Sequence, residues 1–213
     1  LSMLERAAQT GNVDAAYVDA AHWLGQAYLG EGQVEADPAL AEKWLTKASE
    51  QGQLDATRSL GQAHFDGVVL SEDPQRGIQL LEQAAQHNDA YALALLGNIY
   101  LDSDKVQAQP QRGVEYLKRA NRLGHPYATA RLGEAYLKGE GMPADPVQGV
   151  ALLTDAANQK QSGAARTLGI AYMDGTGLQR DPAKAQRWLS LAVEQDPTDT
   201  TSKTRLGQGY LEG

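Results

Sequence analysis

A Leu-Gly pair recurs six times along the chain at an almost constant interval of 36, 36, 36, 36 and 38 residues. The pairs are Leu24-Gly25, Leu60-Gly61, Leu96-Gly97, Leu132-Gly133, Leu168-Gly169 and Leu206-Gly207. A second ladder keeps a fixed phase to the first, at Pro38, Pro74, Pro110, Pro146 and Pro182. A period in the range of about 20–50 residues is typical of units that cannot bury their apolar face alone and stack on their neighbours. The chain is therefore predicted to be a repeat array.

Composition narrows the classes of partner. Hydrophobic residues make up 42% of the chain and charged residues 22%, and no apolar run approaches the roughly 20 residues of a spanning helix, so we expect no transmembrane segment. The net charge of −8 provides no overall attraction to nucleic acid, and we expect no nucleic-acid partner. The absence of cysteine excludes disulfides and thiolate metal sites but leaves both cytosol and periplasm open.

The first predicted helix of each unit, helix A, carries the Leu-Gly pair. At 100° per residue, Ala56, Leu60, Gly61, Ala63 and His64 fall on one side, and the equivalent residues of the other units keep the same phases. That side is the predicted core. A glycine within a helix costs about 1 kcal/mol relative to alanine, so its recurrence predicts a point where a second helix crosses closely. His64 replaces the tyrosine of the other units and is interpreted as a packed aromatic residue.

The second predicted helix, helix B, starts at the proline ladder, where Asp is a good N-cap and Pro a good first residue. After it, each helix B has a small residue at position i, a large residue at i+3, Leu at i+4 and Ala at i+7, and these positions form one apolar stripe. Trp44 and Trp188 occupy the i+3 position and are therefore predicted to be core residues. The third unit has Gln109 in place of the capping Asp, and we expect an irregular loop before it. The Asp102 and Asp104 carboxylates of that loop lack the Gly and the distal Glu of a calcium loop, so no metal or cofactor is expected.

This order of motifs resembles the Sel1-like repeat family: Leu-Gly-x-Ala-Tyr, a Gly-rich loop, Asp-Pro, then Trp-Leu-x-x-Ala-Ala. The most faithful stretch is Ala164 to Val193, and the 36-residue period differs from the 34 residues of tetratricopeptide repeats. The resemblance implies an all-α, right-handed α-solenoid of stacked helix-turn-helix units. We expect one array over residues 1–213, with partial repeats at 1–19 and 202–213 and full repeats starting near 20, 56, 92, 128 and 164. Both ends look like cuts in a longer protein, and five extra residues near 16–20 predict a longer first helix A.

The resemblance also implies a function. Family members are scaffolds, so we expect a non-catalytic adaptor that binds partners through a concave surface of A helices, in the bacterial envelope or in exopolysaccharide export. That setting predicts a periplasmic or outer-membrane-associated protein, and the shared repeats suggest a relation to the alginate-export outer-membrane scaffold lipoprotein. A cytosolic regulatory adaptor, or a binding module attached to a catalytic domain outside this chain, is the alternative.

Candidate binding residues are those opposite the predicted core of helix A, at the third, fourth and seventh positions counted from the recurrent Ala. They are Trp23, Gln26, Arg58, Gln62, Leu95, Asn98, Arg131, Glu134, Arg166, Ile170 and Arg205. Four arginines against one glutamate predict a basic groove for an acidic, extended protein segment or an anionic polysaccharide such as a uronate polymer.

Two other interpretations of these residues stay open. The arginines could form solvated pairs along their own helices, Arg58 with Asp55 and Arg131 with Glu134. Tyr91 and Tyr127 could either extend an exposed apolar surface or pack between repeats.

No motif indicates catalysis. The four histidines occupy unrelated phases, and no Gly-x-x-x-x-Gly-Lys-Ser/Thr phosphate loop occurs. We therefore expect no catalytic residues in this chain.

Overall fold

The computed structural model describes residues 15–30 and 34–212, and in that part of the chain every regular element is an α-helix. The A helices are α1 (Ala15–Tyr28), α3 (Leu54–Asp66), α5 (Ala90–Asp102), α7 (Pro126–Lys138), α9 (Ser162–Asp174) and α11 (Thr200–Glu212). The B helices are α2 (Pro38–Glu50), α4 (Pro74–Gln86), α6 (Pro110–Arg122), α8 (Pro146–Asn158) and α10 (Pro182–Gln195). The chain forms two compact units, residues 1–96 and 97–213, with α5 crossing the boundary.

Within each unit, helices adjacent in sequence pack together. A helices pack on the B helix that follows them, as in α1 on α2, α3 on α4, α7 on α8 and α9 on α10, and B helices pack on the next A helix, as in α2 on α3, α6 on α7, α8 on α9 and α10 on α11. The expected all-α solenoid class of stacked hairpins is confirmed. Nearly all of the partial repeat expected at 1–19 lies outside the described residues, and α1 has 14 described residues against 13 in α3.

The B helices begin as the Asp-Pro motif predicts. The side chains of Asp37, Asp73 and Asp181 accept a hydrogen bond at 3.0 Å from the backbone amide three residues on. Gln109 makes no such bond, as expected. Its own backbone amide still donates to the Tyr100 carbonyl at 2.9 Å, the bond that the N-cap residue makes in every hairpin. This bond ties the start of helix B to the end of helix A even where the cap is missing.

Glycines lie where the two helices of a hairpin cross. A Cβ on Gly133 would lie 2.8 Å from Leu153 Cγ and 3.0 Å from the carbonyl oxygen of Gly149, and a Cβ on Gly149 would lie 2.9 Å from the Gly133 oxygen. Gly61 and Gly77 face each other in the same way. The predicted helix-crossing role is confirmed for the first five Leu-Gly glycines, where an added Cβ would lie within 3.0 Å of an atom of helix B, but Gly207 has no heavy atom within 4 Å of an added Cβ.

Most residues of the predicted apolar stripes are buried in the core, but one predicted core tryptophan is not. Leu45, Leu60 and Leu168 are buried, and so is His64, the aromatic substitute for tyrosine. Trp44 is buried, but Trp188 is only half-buried.

The buried arc of the A helices is wider than predicted. The residue after each recurrent Ala is also buried, and Ala94, assigned to the opposite face by its phase, is 3% exposed. The A helices α3, α7 and α9 each contact the B helices on both sides of them, which widens their buried arc beyond one stripe. Among the described residues no helix is long and apolar enough to cross a membrane.

The crossing glycines provide a direct test of the packing. Gly133→Ala is expected to lower the free energy of unfolding by about 1–3 kcal/mol, because the new methyl overpacks the crossing of α7 and α8. Gly207→Ala is the matched control, since the same position of α11 has no heavy atom within 4 Å of the new Cβ. There the free energy should stay unchanged or rise by up to about 1 kcal/mol through helix propensity. Urea unfolding followed by circular dichroism measures both, and equal losses would contradict the crossing role.

Candidate functional site

The eleven candidate residues all lie off the core, and together they are called the A face here. Trp23 and Gln62 are exposed, with Trp23 at 61% of its full area, and the other nine are half-buried. The phase assignment therefore places side chains at the surface, where they can contact a partner.

Depressions between consecutive A helices bring several of these residues together. In the first unit, a depression of about 360 Å³ between α1 and α3 is lined by Gln26, Arg58 and Gln62. In the second unit, one of about 210 Å³ between α7 and α9 is lined by Arg131, Glu134 and Arg166. Arg205 lines a third depression, of about 250 Å³, on α11. Pockets that bind small molecules have volumes of roughly 300–1,000 Å³, and these depressions lie at or below the low end of that range. Their size therefore favours binding of single side chains of a partner.

Two of the arginines reach forward to the next A helix. Arg58 Nη1 lies 2.7 Å from Asp89 Oδ2, and Arg166 Nη1 lies 3.3 Å from Asp199 Oδ1. Both aspartates also cap the helix they precede, accepting from the amides of Ala92 at 2.8 Å and Ser202 at 3.1 Å. Burial opposes ionisation of Asp199, but hydrogen bonds from Ser202 and the charge of Arg166 outweigh it and hold its pKa below the usual range.

The other two arginines reach back to the preceding A helix. Arg131 pairs with Asp102, and Arg205 Nη2 lies 3.3 Å from Asp174 Oδ2. Asp102 and Asp174 occupy the same position, the last residue of their A helices. Arginine–aspartate pairs therefore join neighbouring A helices in two recurring geometries, here called forward and backward bridges.

The pairs along single helices, left open above, are also present. Arg58 Nη2 lies 2.6 Å from Asp55 Oδ1, and Arg131 pairs with Glu134, which also accepts from Lys138 at 2.6 Å. All four arginines thus have carboxylate partners, and Arg58 and Arg131 have two each. The sequence-based expectation of a broadly basic groove rested on A-face residues alone and left out the aspartates at 89, 102, 174 and 199.

The cluster around Arg131 is the strongest electrostatic feature of the A face. Burial alone would raise the pKa of Glu134, but the hydrogen bond from Lys138 and the charge of Arg131 lower it. Burial alone would lower the pKa of Arg131, but Glu134 and Asp102 raise it. Both groups are therefore held in their charged forms, and this part of the surface is already neutralised.

Hydrogen bonds to uncharged side chains also join neighbouring repeats. Gln26 Nε2 donates to Ser59 Oγ at 2.8 Å, and Arg131 Nε donates to Asn98 Oδ1 at 3.2 Å, at equivalent positions. Asn98 Nδ2 donates to the Tyr127 hydroxyl at 2.6 Å, which supports the packing interpretation of that tyrosine.

Tyr91 both packs against a neighbouring repeat and remains part of the exposed surface, the two interpretations left open by the sequence. The guanidinium of Arg58 lies 5.0 Å from its ring centroid, although 62% of Tyr91 is exposed.

Leu95 and Ile170 are half-buried residues of α5 and α9. Among the described residues no group of three or more His, Asp or Glu side chains is placed to hold a metal ion. The geometry of the A face is that of a polar contact surface with a few apolar residues.

Comparison with models of protein families shows which family the chain belongs to. The Sel1 repeat model matches residues 18–53, 54–89, 90–125, 126–160 and 162–197. The chain belongs to the Sel1 repeat family. Each of the five matches begins two residues before the start expected from the sequence, at or near the first residue of an A helix. Sel1 repeats generally mediate protein–protein interactions.

Solved structures of Sel1-repeat proteins have the same fold. A protective antigen of uropathogenic Escherichia coli with an SLR fold is 24% identical, with a TM-score of 0.82 over 98% of this chain and 43% of that one. A Sel1 repeat protein of Oxalobacter formigenes is 27% identical, with a TM-score of 0.74 over 100% of this chain and 59% of that one. The immunity protein Pa5087 of Pseudomonas aeruginosa is 20% identical, with a TM-score of 0.56 over 88% and 69%.

The Sel1-repeat chain described here therefore spans about half the length of the first two of these proteins. Among proteins of curated function, none matches it significantly.

The forward bridge can be tested apart from the cap. Asp89→Asn is expected to lower the free energy of unfolding by about 1–2 kcal/mol, because asparagine caps as well as aspartate but cannot form the charge-assisted bond to Arg58. Asp73→Asn is the matched control, since Asp73 caps α4 through Arg76 N at 3.0 Å and forms no ion pair within the described chain. Urea titration should place the control within about 0.5 kcal/mol of the parent. Equal effects of the two variants would show that the bridge adds nothing.

The Glu134 cluster predicts a pH dependence. A lowered folded-state pKa means that the ionised carboxylate stabilises the fold above the unfolded pKa of about 4.3, and that this stabilisation is lost as pH falls through the folded pKa. Glu134→Gln should therefore cost about 1–2 kcal/mol near pH 7 and progressively less below about pH 4.3. Unfolding measured from pH 7 to pH 3 tests this, with Glu115→Gln at the exposed Lys118 pair as control. A cost independent of pH would contradict the assignment.

Proposed function

We propose that this chain is a non-catalytic scaffold that assembles a complex by binding an extended segment of a partner protein along the A face. The observation that carries this proposal is the presence, in each compact unit, of a depression between consecutive A helices that is lined by candidate residues. An extended polypeptide that crosses the A helices of either unit would meet such a depression. The partner's side chains would then be read at the depression and its backbone at the polar residues beside it.

The chemistry of the first depression suits a peptide. Gln26, Ser59 and Gln62 offer amide and hydroxyl groups that can both donate and accept hydrogen bonds, as the amide and carbonyl groups of an extended backbone require. Val68, at the edge of the same depression, is 85% exposed and offers an apolar contact. Trp23, exposed on α1, is a residue type enriched among the dominant contacts of protein interfaces.

The bridges limit what the arginines can contribute. A guanidinium that already pairs with two carboxylates, as in Arg58 and Arg131, has little to offer an incoming anion. An acidic partner is therefore proposed only for places on the A face where an arginine keeps an exposed, unsaturated edge.

The cellular setting is a separate proposal. A place in the bacterial envelope or in exopolysaccharide export, with an anionic polysaccharide as a second ligand, rests on the resemblance of the repeats alone, as does the relation to the alginate-export scaffold. The bacterial origin of the solved Sel1-repeat proteins supports a bacterial setting. Fractionation of the full-length protein into cytoplasm, periplasm and outer membrane tests the envelope proposal against a cytosolic adaptor.

Because the chain contains no cysteine, a single introduced thiol can carry a photocrosslinker. Gln62→Cys places it on an exposed residue of the first depression, and Gln79→Cys places it on an exposed residue of helix α4 as the matched control. After labelling with a benzophenone maleimide and irradiation in extract of the producing cells, we expect a discrete adduct from position 62 that unlabelled parent protein competes away. No competable adduct, or the same adduct from position 79, would overturn the A face as the binding surface.

A further inference from the structure

The junction between α7 and α9 lacks the groups that form bridges at other junctions. A forward bridge needs an arginine at the third position of one A helix and an aspartate at the N-cap of the next, where this junction has Ala130 and Gln161. A backward bridge needs an aspartate at the end of one A helix and an arginine at the fourth position of the next, where it has Lys138 and Thr167. Accordingly, the described residues form no arginine–carboxylate bridge between these two helices.

The depression of about 210 Å³ lies at this junction. Ala130, which lines it, occupies the position that Arg58 holds in the second repeat and Arg166 in the fifth. The short alanine side chain leaves open the volume that an arginine fills elsewhere. The depression is therefore a direct consequence of the missing bridge.

Arg166, in the wall of this depression, is the most exposed arginine of the A face. Among the described residues its one ion pair is with Asp199 at 3.3 Å through Nη1, and its side chain is 41% exposed, against 36% for Arg205, which also has one carboxylate partner. The side chains of Arg58 and Arg131, each with two carboxylates, are 19% and 13% exposed. The second terminal nitrogen, Nη2, lies beside Gly163, where an added Cβ would be 3.7 Å from it.

The charge around the depression is also shifted to positive. Lys138 stands where Asp102 and Asp174 end their helices, and Gln161 stands where Asp89 and Asp199 cap theirs. The one carboxylate in the lining, Glu134, is neutralised by Arg131 and by Lys138 at 2.6 Å. An incoming carboxylate would meet the exposed edge of Arg166 and no unpaired negative charge in the lining.

We propose that this depression is a carboxylate-binding subsite in which a glutamate or aspartate side chain of an extended partner segment pairs with Arg166. In effect, the partner supplies the carboxylate that an internal aspartate supplies at the bridged junctions. A planar guanidinium pairs well with a carboxylate, and the small volume suits one side chain rather than a larger ligand. The inference rests on the proposed function and specifies the partner chemistry for this part of the A face.

The test follows the side-chain Nε–Hε resonances of the arginines by ¹⁵N NMR in the full chain. The probes are the blocked peptide acetyl-(Gly-Glu)₃-amide, the neutral peptide acetyl-(Gly-Gln)₃-amide and an oligouronate. We expect the glutamate peptide to shift the Arg166 resonance saturably, with the glutamine peptide and the oligouronate producing much smaller shifts. An oligouronate that binds more tightly than the glutamate peptide would overturn the choice of a protein segment.

Two variants separate binding from folding. Arg166→Gln should weaken binding of the glutamate peptide by about tenfold, the loss expected for one charge-assisted pair, whereas Arg187→Gln on exposed residue 187 of α10 should leave it unchanged. The double variant Ala130→Arg with Gln161→Asp installs an internal forward bridge in the depression. It should abolish peptide binding while leaving the urea midpoint unchanged or raised.

Each outcome bears on the subsite. Equal weakening by Arg166→Gln and Arg187→Gln, or retained binding in the double variant, would show unspecific attraction and overturn it. If the adduct at position 62 forms but no Arg166 shift occurs, the scaffold function stands and the carboxylate subsite fails. If the Arg166 shift occurs without that adduct, the subsite stands and the proposed partner surface must be redrawn around it.

Discussion

The close crossing of helix A on helix B at the first five Leu-Gly pairs is the constraint on which the rest of the structure depends. A glycine within a helix is unfavourable in isolation, and it is tolerated here because the facing backbone lies where a Cβ would be. In three of the hairpins the facing residue is itself a glycine, as in Gly133 and Gly149, so the two backbones are in mutual contact. Once this crossing is set, the leucine before the glycine points into the core and the opposite side of helix A is left for other contacts.

The bridges show how that opposite side is used for stability as well as for binding. Asp89 and Asp199 both cap a helix and accept an arginine from the preceding repeat, so one carboxylate satisfies backbone donors and neutralises a charge. A buried carboxylate with several hydrogen bonds remains ionised more readily than one with a single partner. An arginine such as Arg58, which pairs with two carboxylates, is unavailable to a ligand, whereas Arg166 has one such partner, so stability and recognition compete for the same side chains along the A face.

Much of the fold follows from periodicity, because the repeat reveals which positions share an environment in every unit. The start of the B helices, the crossing glycines and the role of His64 in place of tyrosine are all consequences of position within the period. The burial of Thr57, Thr129 and Ala165, each one residue after the recurrent Ala, could not be predicted in this way, since α3, α7 and α9 each contact a second B helix, and one helical stripe contains no information about it.

The bridges were missed for a different reason. Helix-surface pairs such as Arg58 with Asp55 are visible at a spacing of three residues, whereas Arg58 and Asp89 are 31 residues apart and meet only through stacking. The chain did contain a signal. Arg166 and Asp199 repeat the same relation with a spacing of 33, which matches once the two extra residues of the last Leu-Gly interval are counted.

In a repeat array, equivalent positions of different repeats can be compared with one another, so a position that differs from its equivalents is informative. At the junction of α7 and α9, none of the four bridging positions carries the arginine or aspartate that would close the surface. The charges nearby, on Glu134 and Arg131, are balanced within the fold. The exposed edge of Arg166 is thus a local opening beside an internally satisfied cluster, and such an opening is where a repeat scaffold can acquire a specific partner without weakening its stack.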